Sequence, residues 1–461
     1  MIRRTSAAAL AAMILGVPAA QAADALDPTT TYVLAGSLLD RPGTAPRGPS
    51  TIIVKGGKVA EVQAGFATPP AGAKVIDLRD RFVLPGLIDS HVHLNGRGNP
   101  MLARMDASGR DVQDVYTTMA VNARLTVEAG FTTVRDLGGD ARGIRALRDA
   151  VDRGDLPGPG IINAGQMIST TGGHGDGRNG LREEISDTVE LHQVNVCDGA
   201  DDCRRAVRRQ IALGALVIKF AATGGVLSNV SGGLGRQMTP EEMKAIVETA
   251  HGFGRKVTAH SHAVEGTKAA LAAGVDSIEH GTFLDDEAIR LFKEKDAWLV
   301  PTMLAPVATL EQARAGQLGA AATAKVGQGR SAVPNHERAI RAGVKIAFGT
   351  DSGVSVHGQN AREFALLVER GLTPMQAISA ATVNAASLLG LQDRVGALTP
   401  GMDADIVAVV GSPLEDVRRL ERVDFVMHRG AVIKQDGVRA VFPPNLAPAP
   451  VPPRAGAPTL P

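Results

Sequence analysis

Residues 82–93 read Phe-Val-Leu-Pro-Gly-Leu-Ile-Asp-Ser-His-Val-His. Apolar residues dominate from Phe82 to Ile88, as in a buried strand, and the run ends in Asp89, His91 and His93. Seven more runs of this kind follow: Phe131–Val134, Gly160–Ala164, Ala215–Phe220, Lys256–Ala259, Val275–Glu279, Trp298–Thr302 and Val344–Phe348. Helical patterns separate most of them. The clearest begins at Thr239, which caps; Pro240 takes the first helical position and Glu242 completes a capping box. Eight strand–helix units predict an α/β chain folded as a (β/α)8 TIM-type barrel across 83–390. A doubly wound sheet is the alternative; strand count and length favour the barrel.

The texture outside that region differs. Thr51–Val54, a Gly56-Gly57 turn and Val59–Val62 form a strand-turn-strand pattern, and Ala404–Val410 and Val423–Ile433 are β-rich again. Residues 23–82 and 391–440 are therefore expected to pair into a small β-sandwich domain built from both chain ends. Residues 441–461 form a Pro/Ala-rich tail, expected to be poorly ordered.

The first 22 residues read as a signal peptide. Arg3 and Arg4 precede a short apolar stretch, and Ala20-Gln21-Ala22 is a small-x-small cleavage site. The stretch is too short to span a bilayer comfortably, and no later segment has enough consecutive apolar residues to do so. The expectation is an exported protein, periplasmic or secreted, with no membrane association after cleavage. In an oxidising compartment Cys197 and Cys203 can close a small disulfide loop or stay as two thiols; the sequence leaves both open.

Composition narrows the class. The chain has 461 residues, 44% hydrophobic and 21% charged, with a net charge of +1 and 3% aromatics. Global disorder is excluded, and so is a nucleic-acid binder, which needs a basic face and stacking rings. Two cysteines cannot build a multi-Cys zinc site.

In a barrel the chemistry sits at the C-terminal ends of the strands. Those ends offer His91 and His93, Lys219, His260 and His262, His280, and Asp351. In an extended strand residues two apart face the same way, so His91 and His93 converge, as do His260 and His262. Two convergent imidazoles suit a metal. Lys219 is ordinarily a strand-end lysine, but beside metals it can take up carbon dioxide as a carbamate. An Asp beside a metal-bound water can serve as ligand and proton shuttle. Singly each residue reads as structural; five such ends in barrel order do not.

This set resembles the amidohydrolase superfamily, in its binuclear-metal branch with a carboxylated lysine. The resemblance covers nearly the whole chain after the signal, including Pro400-Gly401-Met402-Asp403-Ala404-Asp405 leading back to the flanking strands. It implies two divalent metal ions, with Zn2+ favoured and manganese or cobalt as alternatives. It implies that His91 and His93 hold one ion, that His260 and His280 hold the other, and that Lys219 bridges them as N6-carboxylysine. Asp351 would bind the first ion and handle protons, and a hydroxide bridging the ions would attack the scissile carbonyl. His262 is not a ligand in that pattern and is expected to support the site or touch substrate.

Two glycine-rich stretches, 170–180 and 221–236, are expected to cover the barrel mouth. Within them His174, Arg178 and Arg236 can engage a substrate carboxylate or an oxyanion. Neither has P-loop spacing, which excludes nucleotide binding of that kind. Together with export, these loops resemble the peptidase-type members of the superfamily, the Xaa-Pro and Xaa-Arg dipeptidases and the bacterial amidases that hydrolyse ochratoxin A. The implied substrate is a small-molecule amide, a dipeptide or N-acyl amino acid with a free C-terminal carboxylate. His174 is then placed beside it as a catalytic or binding residue. Homo-oligomers, octamers among them, are implied as well. The alternatives are a cyclic-amide hydrolase of the imidazolonepropionase or dihydroorotase type and, from another class, a non-catalytic periplasmic binding protein.

Overall fold

The computed structural model describes residues 30–99, 111–179, 181–190, 194–228, 233–329 and 333–441. The expected signal peptide and, from residue 442, the expected tail lie outside the described residues. Four strands open the chain: β1 (Thr31–Leu38), β2 (Ser50–Lys55), β3 (Lys58–Ala64) and β4 (Lys74–Pro85). Eight alternate with helices: β5 (Leu87–Val92), β6 (Phe131–Asp136), β7 (Gly160–Asn163), β8 (Val217–Ala221), β9 (Lys256–Ser261), β10 (Ser277–His280), β11 (Trp298–Val300) and β12 (Lys345–Ile346). Four close it: β13 (Ile406–Val409), β14 (Phe425–His428), β15 (Ala431–Gln435) and β16 (Val438–Arg439).

The two chain ends do meet. They form one eight-stranded sheet in the order β16-β15-β14-β13-β4-β1-β2-β3. The join is β4, twelve residues long, which pairs parallel with β1 and, through Phe82–Pro85, antiparallel with β13. The first apolar run of the sequence therefore divides: Phe82–Pro85 belongs to the flanking sheet, and the inner strand begins at Leu87. Gly86 marks the break because the chain passes against the next strand there; a Cβ at Gly86 would sit 2.1 Å from Thr132 Oγ1. Val33, Ile52, Val54, Ile406, Phe425 and Met427 bury together within this sheet.

The eight inner strands are all parallel and fall into a three-stranded sheet, β5-β6-β7, and a five-stranded one, β12-β11-β10-β9-β8. Backbone hydrogen bonds run between the edges of these sheets on both sides. Ser90 N–H donates to Phe348 O at 2.9 Å and Asp351 N–H to His91 O at 2.8 Å. On the other side Leu216 N–H donates to Asn163 O and Ile168 N–H to Lys219 O, both at 2.8 Å. Strand residues such as Ile218, Phe220, Val257, Ile278 and Leu299 pack with helix residues such as Val207, Met243, Ile246 and Phe292 in one large core. Each fully buried side chain of this size is worth roughly 1.5–3 kcal/mol.

Local chemistry explains the helices that hold the strands. Pro240–Gly252 starts with the capping box read from the sequence: Thr239 Oγ1 accepts from Glu242 N–H, and Glu242 Oε2 accepts from Thr239 N–H. Glu242 Oε1 also accepts from Gly199 N–H, just ahead of helix Ala200–Ala212. Behind β12 the helix from Pro374 passes through a π turn at Ala380–Asn384, and Ala380 O accepts a hydrogen bond from Phe348 N–H at 3.0 Å. A π turn widens the helical ring, which leaves carbonyls for such outside donors. Cys197 and Cys203 form a disulfide, which settles the choice the sequence left open. No helix among the described residues is long and apolar enough to cross a membrane.

Candidate metal centre and active site

The strand ends converge. His91 lies in β5 and His93 just past it, with ring centroids 5.3 Å apart. His260 lies near the end of β9, His262 just past it, and His280 ends β10. The rings of His260 and His280 are 4.6 Å apart, those of His91 and His280 5.2 Å, and His262 stacks on His280 at 4.9 Å. Asp351 Oδ1 sits 3.4 Å from His91 Nε2 and 3.3 Å from His93 Nε2. Lys219 Nζ is 3.4 Å from His91 Nε2, so the lysine reaches the same point from β8. All of these residues are buried except His93, which is partly exposed.

Backbone strain supports this placement. His280 and Asp351 both have positive φ, 70° and 59°, as does Thr302 at 49°. Such conformations cost of order 1–3 kcal/mol and persist where surrounding contacts hold them. Those contacts are present: Asp351 N–H donates to His91 O, and His336 Nε2 donates to His280 O at 2.7 Å.

Four of the imidazoles meet a partner at the outer nitrogen. His93 Nδ1 donates to Gly138 O at 2.8 Å, His262 Nδ1 meets Thr282 Oγ1 at 2.7 Å and His280 Nδ1 meets Thr302 Oγ1 at 2.7 Å. His91 Nδ1 lies 2.8 Å from Glu279 Oε2. This leaves the inner nitrogens to a common centre, the arrangement in which outer partners orient metal-binding imidazoles. Two sets of donor atoms each lie within 4.8 Å of one another: His260, His262 and His280, and His91, His280 and Asp351.

The electrostatics agree with a cation-binding role. Burial lowers His91 and His262 to about 4 and His174 to about 3, and it holds His260 and His280 far below the usual imidazole range. Neutral imidazoles offer lone pairs. Burial opposes protonation of His93 too, but the Asp351 carboxylate outweighs it and raises that pKa. Burial pushes Asp351 up, yet His91, His93 and Lys219 together hold it below the ordinary carboxylate value. Lys219 falls to about 8 because burial outweighs the attraction of Glu279 and Asp351, so a fraction is a neutral amine near neutral pH. A neutral amine is the form that reacts with carbon dioxide.

Residues 82–433 match the model of the Amidohydrolase family, spanning most of the chain. The chain belongs to the amidohydrolase family. Its similarity to ochratoxinase of Aspergillus niger is 33% identity over 371 residues, 77% of this chain and 76% of that enzyme. A solved Xaa-Pro dipeptidase with methionine bound in its active site shares 37% identity, with a TM-score of 0.82 over 88% of this chain and all of its own. A prolidase complexed with N-methylphosphonate-L-proline shares 30%, with a TM-score of 0.81 over 88% of this chain and 100% of that one. This amidohydrolase is accordingly a hydrolase acting on amides.

Other residues expected from the sequence take different places. His174 comes to the cluster from its loop, its ring 4.2 Å from that of His260. Gly225 is what lets it in, since a Cβ there would lie 2.2 Å from His174 Cε1. His262, expected beside the ligands, stands within one of the donor sets itself. Arg178 is engaged bidentately by Asp176, Nε to Oδ1 at 2.9 Å and Nη2 to Oδ2 at 2.7 Å. Arg236 is exposed. Asp89 is structural: its carboxylate accepts from His91 N–H, Thr350 N–H and Oγ1, and Asn360 Nδ2.

Sequence reasoning missed the layer beneath. Arg135 Nη2 donates to Glu279 Oε1 at 2.7 Å, and Glu279 in turn braces His91. Burial raises Glu279, but Arg135 and His91 outweigh it and hold the carboxyl at about 2. A signal existed, since an arginine directly after the apolar run Phe131–Val134 must find a buried partner. Thr302 and His336 carried no signal comparable to this.

Proposed function

We propose that this amidohydrolase is an exported, metal-dependent peptidase or amidase. It cleaves dipeptides and N-acyl amino acids that carry a free C-terminal carboxylate, ochratoxin A among them. The observation that carries this reading is the convergence of His91, His93, Lys219, His260, His280 and Asp351 from five strand ends on one largely buried centre. The substrate class is supported by the relatives: one is an ochratoxinase, one holds methionine and one an L-proline analogue. Methionine and proline both carry a carboxylate next to the amino group that amide cleavage releases.

In this reading His91, His93 and Asp351 would hold one divalent ion and His260 and His280 a second, Lys219 as N6-carboxylysine would help to hold both, and His262 belongs to the same donor set as His260 and His280. Zn2+ suits such mixed nitrogen and oxygen donors. Bound there, divalent ions supply Lewis acidity and bring a water's pKa toward neutrality. Asp351 takes the proton from the attacking water at its carboxylate and returns it to the leaving nitrogen. His174, against His260 and under the glycine-rich loop, faces the substrate. The inner strands form one closed barrel of eight, flanked by the sheet built from strands within 31–85 and 406–439. Export rests on Arg3-Arg4, the apolar stretch and Ala20-Gln21-Ala22, and the Cys197–Cys203 disulfide suits an oxidising compartment. The protein assembles as a homo-oligomer, which light scattering tests.

The deciding experiment joins metal analysis to a panel of dipeptides, N-acyl amino acids and ochratoxin A, before and after chelation. About two metals per chain with chelator-sensitive cleavage is the expected result. Ring opening of cyclic amides without linear-amide cleavage would replace this reading with the imidazolonepropionase type.

A further inference from the structure

Helix Ala320–Gly329 carries Lys325, a residue only 8% exposed. Its ammonium donates to two backbone carbonyls of the glycine-rich stretch after β8, Gly225 O at 2.8 Å and Ser228 O at 2.5 Å. Among the described residues it has no carboxylate partner. A buried cation is ordinarily paired, because removing it from water costs several kcal/mol that two neutral carbonyls only partly offset. An ammonium has three N–H groups, and two are used here. Gly225 is also the residue on which His174 rests, and His174 packs against His260, so these contacts link the ammonium to the histidine cluster. Of the two arginines in the glycine-rich stretches, Arg178 is held by Asp176, and Arg236 lies exposed.

We infer that Lys325 is the residue that binds the free C-terminal carboxylate of the substrate. It supplies a compact positive charge anchored by Gly225 and Ser228 at the mouth of the site. This rests on the proposed cleavage of amides bearing a free carboxylate and names the group that selects them. The carboxylate completes the ion pair that the unliganded lysine lacks, so substrates with a neutral C-terminus are discriminated against.

The test compares kcat/KM for a dipeptide and for the same dipeptide with a C-terminal carboxamide, in the full chain and in Lys325→Met and Lys325→Arg. The wild-type preference for the free acid is expected to fall at least about 10-fold in Lys325→Met, the loss of one charge-assisted hydrogen bond. Lys325→Arg should recover part of it. An equal fall for both substrates would mean that the lysine only tethers the loop, and that overturns the inference. So does an unchanged preference. A parallel measurement needs no turnover: calorimetric binding of L-methionine against L-methioninamide. If the wild type cleaves no linear amide, the functional reading fails by itself, and the lysine is judged on this binding ratio. Discrimination in the wild type that is lost in Lys325→Met supports it; no discrimination in the wild type overturns it.

Discussion

Glu279 is fully buried and touches both halves of the site's support. Its Oε1 accepts from Arg135 Nη2 at 2.7 Å, Thr258 Oγ1 at 2.5 Å and Ser277 Oγ at 3.0 Å, while Oε2 lies 2.8 Å from His91 Nδ1. Glu279→Gln keeps the shape and removes the charge. The buried Arg135 guanidinium is left with Ser90 O and Ser277 Oγ. Two charges roughly 4 Å apart in a medium of effective dielectric about 20 attract by about 4 kcal/mol. Breaking one partner of a buried pair costs about 3–5 kcal/mol, so the two routes agree. A second effect is separate: without its carboxylate partner His91 becomes a weaker, less oriented donor, and metal affinity should fall about 10–100-fold. The double variant Arg135→Met with Glu279→Gln tells these effects apart. It removes both charges, so most of the lost stability should return, but His91 still lacks its carboxylate, so metal affinity stays low. Urea unfolding, followed through the single tryptophan Trp298, gives the first quantity, and zinc competition against a chromophoric chelator gives the second. A single variant within about 1 kcal/mol of wild type would refute the charge argument. A double variant with wild-type zinc affinity would refute the orienting role of Glu279.

Other expectations follow from single contacts. Asp351→Asn should lower kcat by about 10²–10⁴-fold with the fold retained by circular dichroism, and unchanged turnover would remove its proton role. Thr302→Val deletes the 2.7 Å contact to His280 Nδ1 and should weaken metal binding about 10–100-fold, measured by the same chelator competition. Asp176 is held at about 2: burial raises it, but Arg178 and the amides of Gly172 and Arg178 outweigh that. Its folded pKa is thus below its unfolded one, so it stabilises the 172–178 loop above about pH 4 and loses that contribution as the pH falls toward 2. Allowing for solvent screening, this amounts to about 1 kcal/mol, and amide exchange in that loop should become less pH-dependent between pH 5 and 2.5 in Asp176→Asn. Replacing Cys197 and Cys203 by serine opens a short loop and should cost about 2 kcal/mol in urea unfolding, with a null result meaning that the bridge contributes nothing.

Much of this was legible in the chain itself. Seven of the eight apolar runs coincide with an inner strand because such a strand is covered on both faces and must be apolar throughout. Their polar ends stand out for the same reason, and so His91, His93, Lys219, His260, His280 and Asp351 could be picked out as candidates. The Thr239 cap was legible because it is made by residues three apart. The first run misled because two strands of different sheets, β4 and β5, follow each other across Gly86 with no polar break.

What a linear pattern reveals is local: which segments bury, where they end and which side chains wait there. It does not reveal which distant side chains meet. Arg135 and Glu279 come from different strands, Lys325 reaches Gly225 across a hundred residues, and Arg178 is taken by Asp176 only once its loop folds. The pairing of each cation belongs to tertiary structure, because pairing a buried charge depends on distance in space and desolvation rather than on position in sequence.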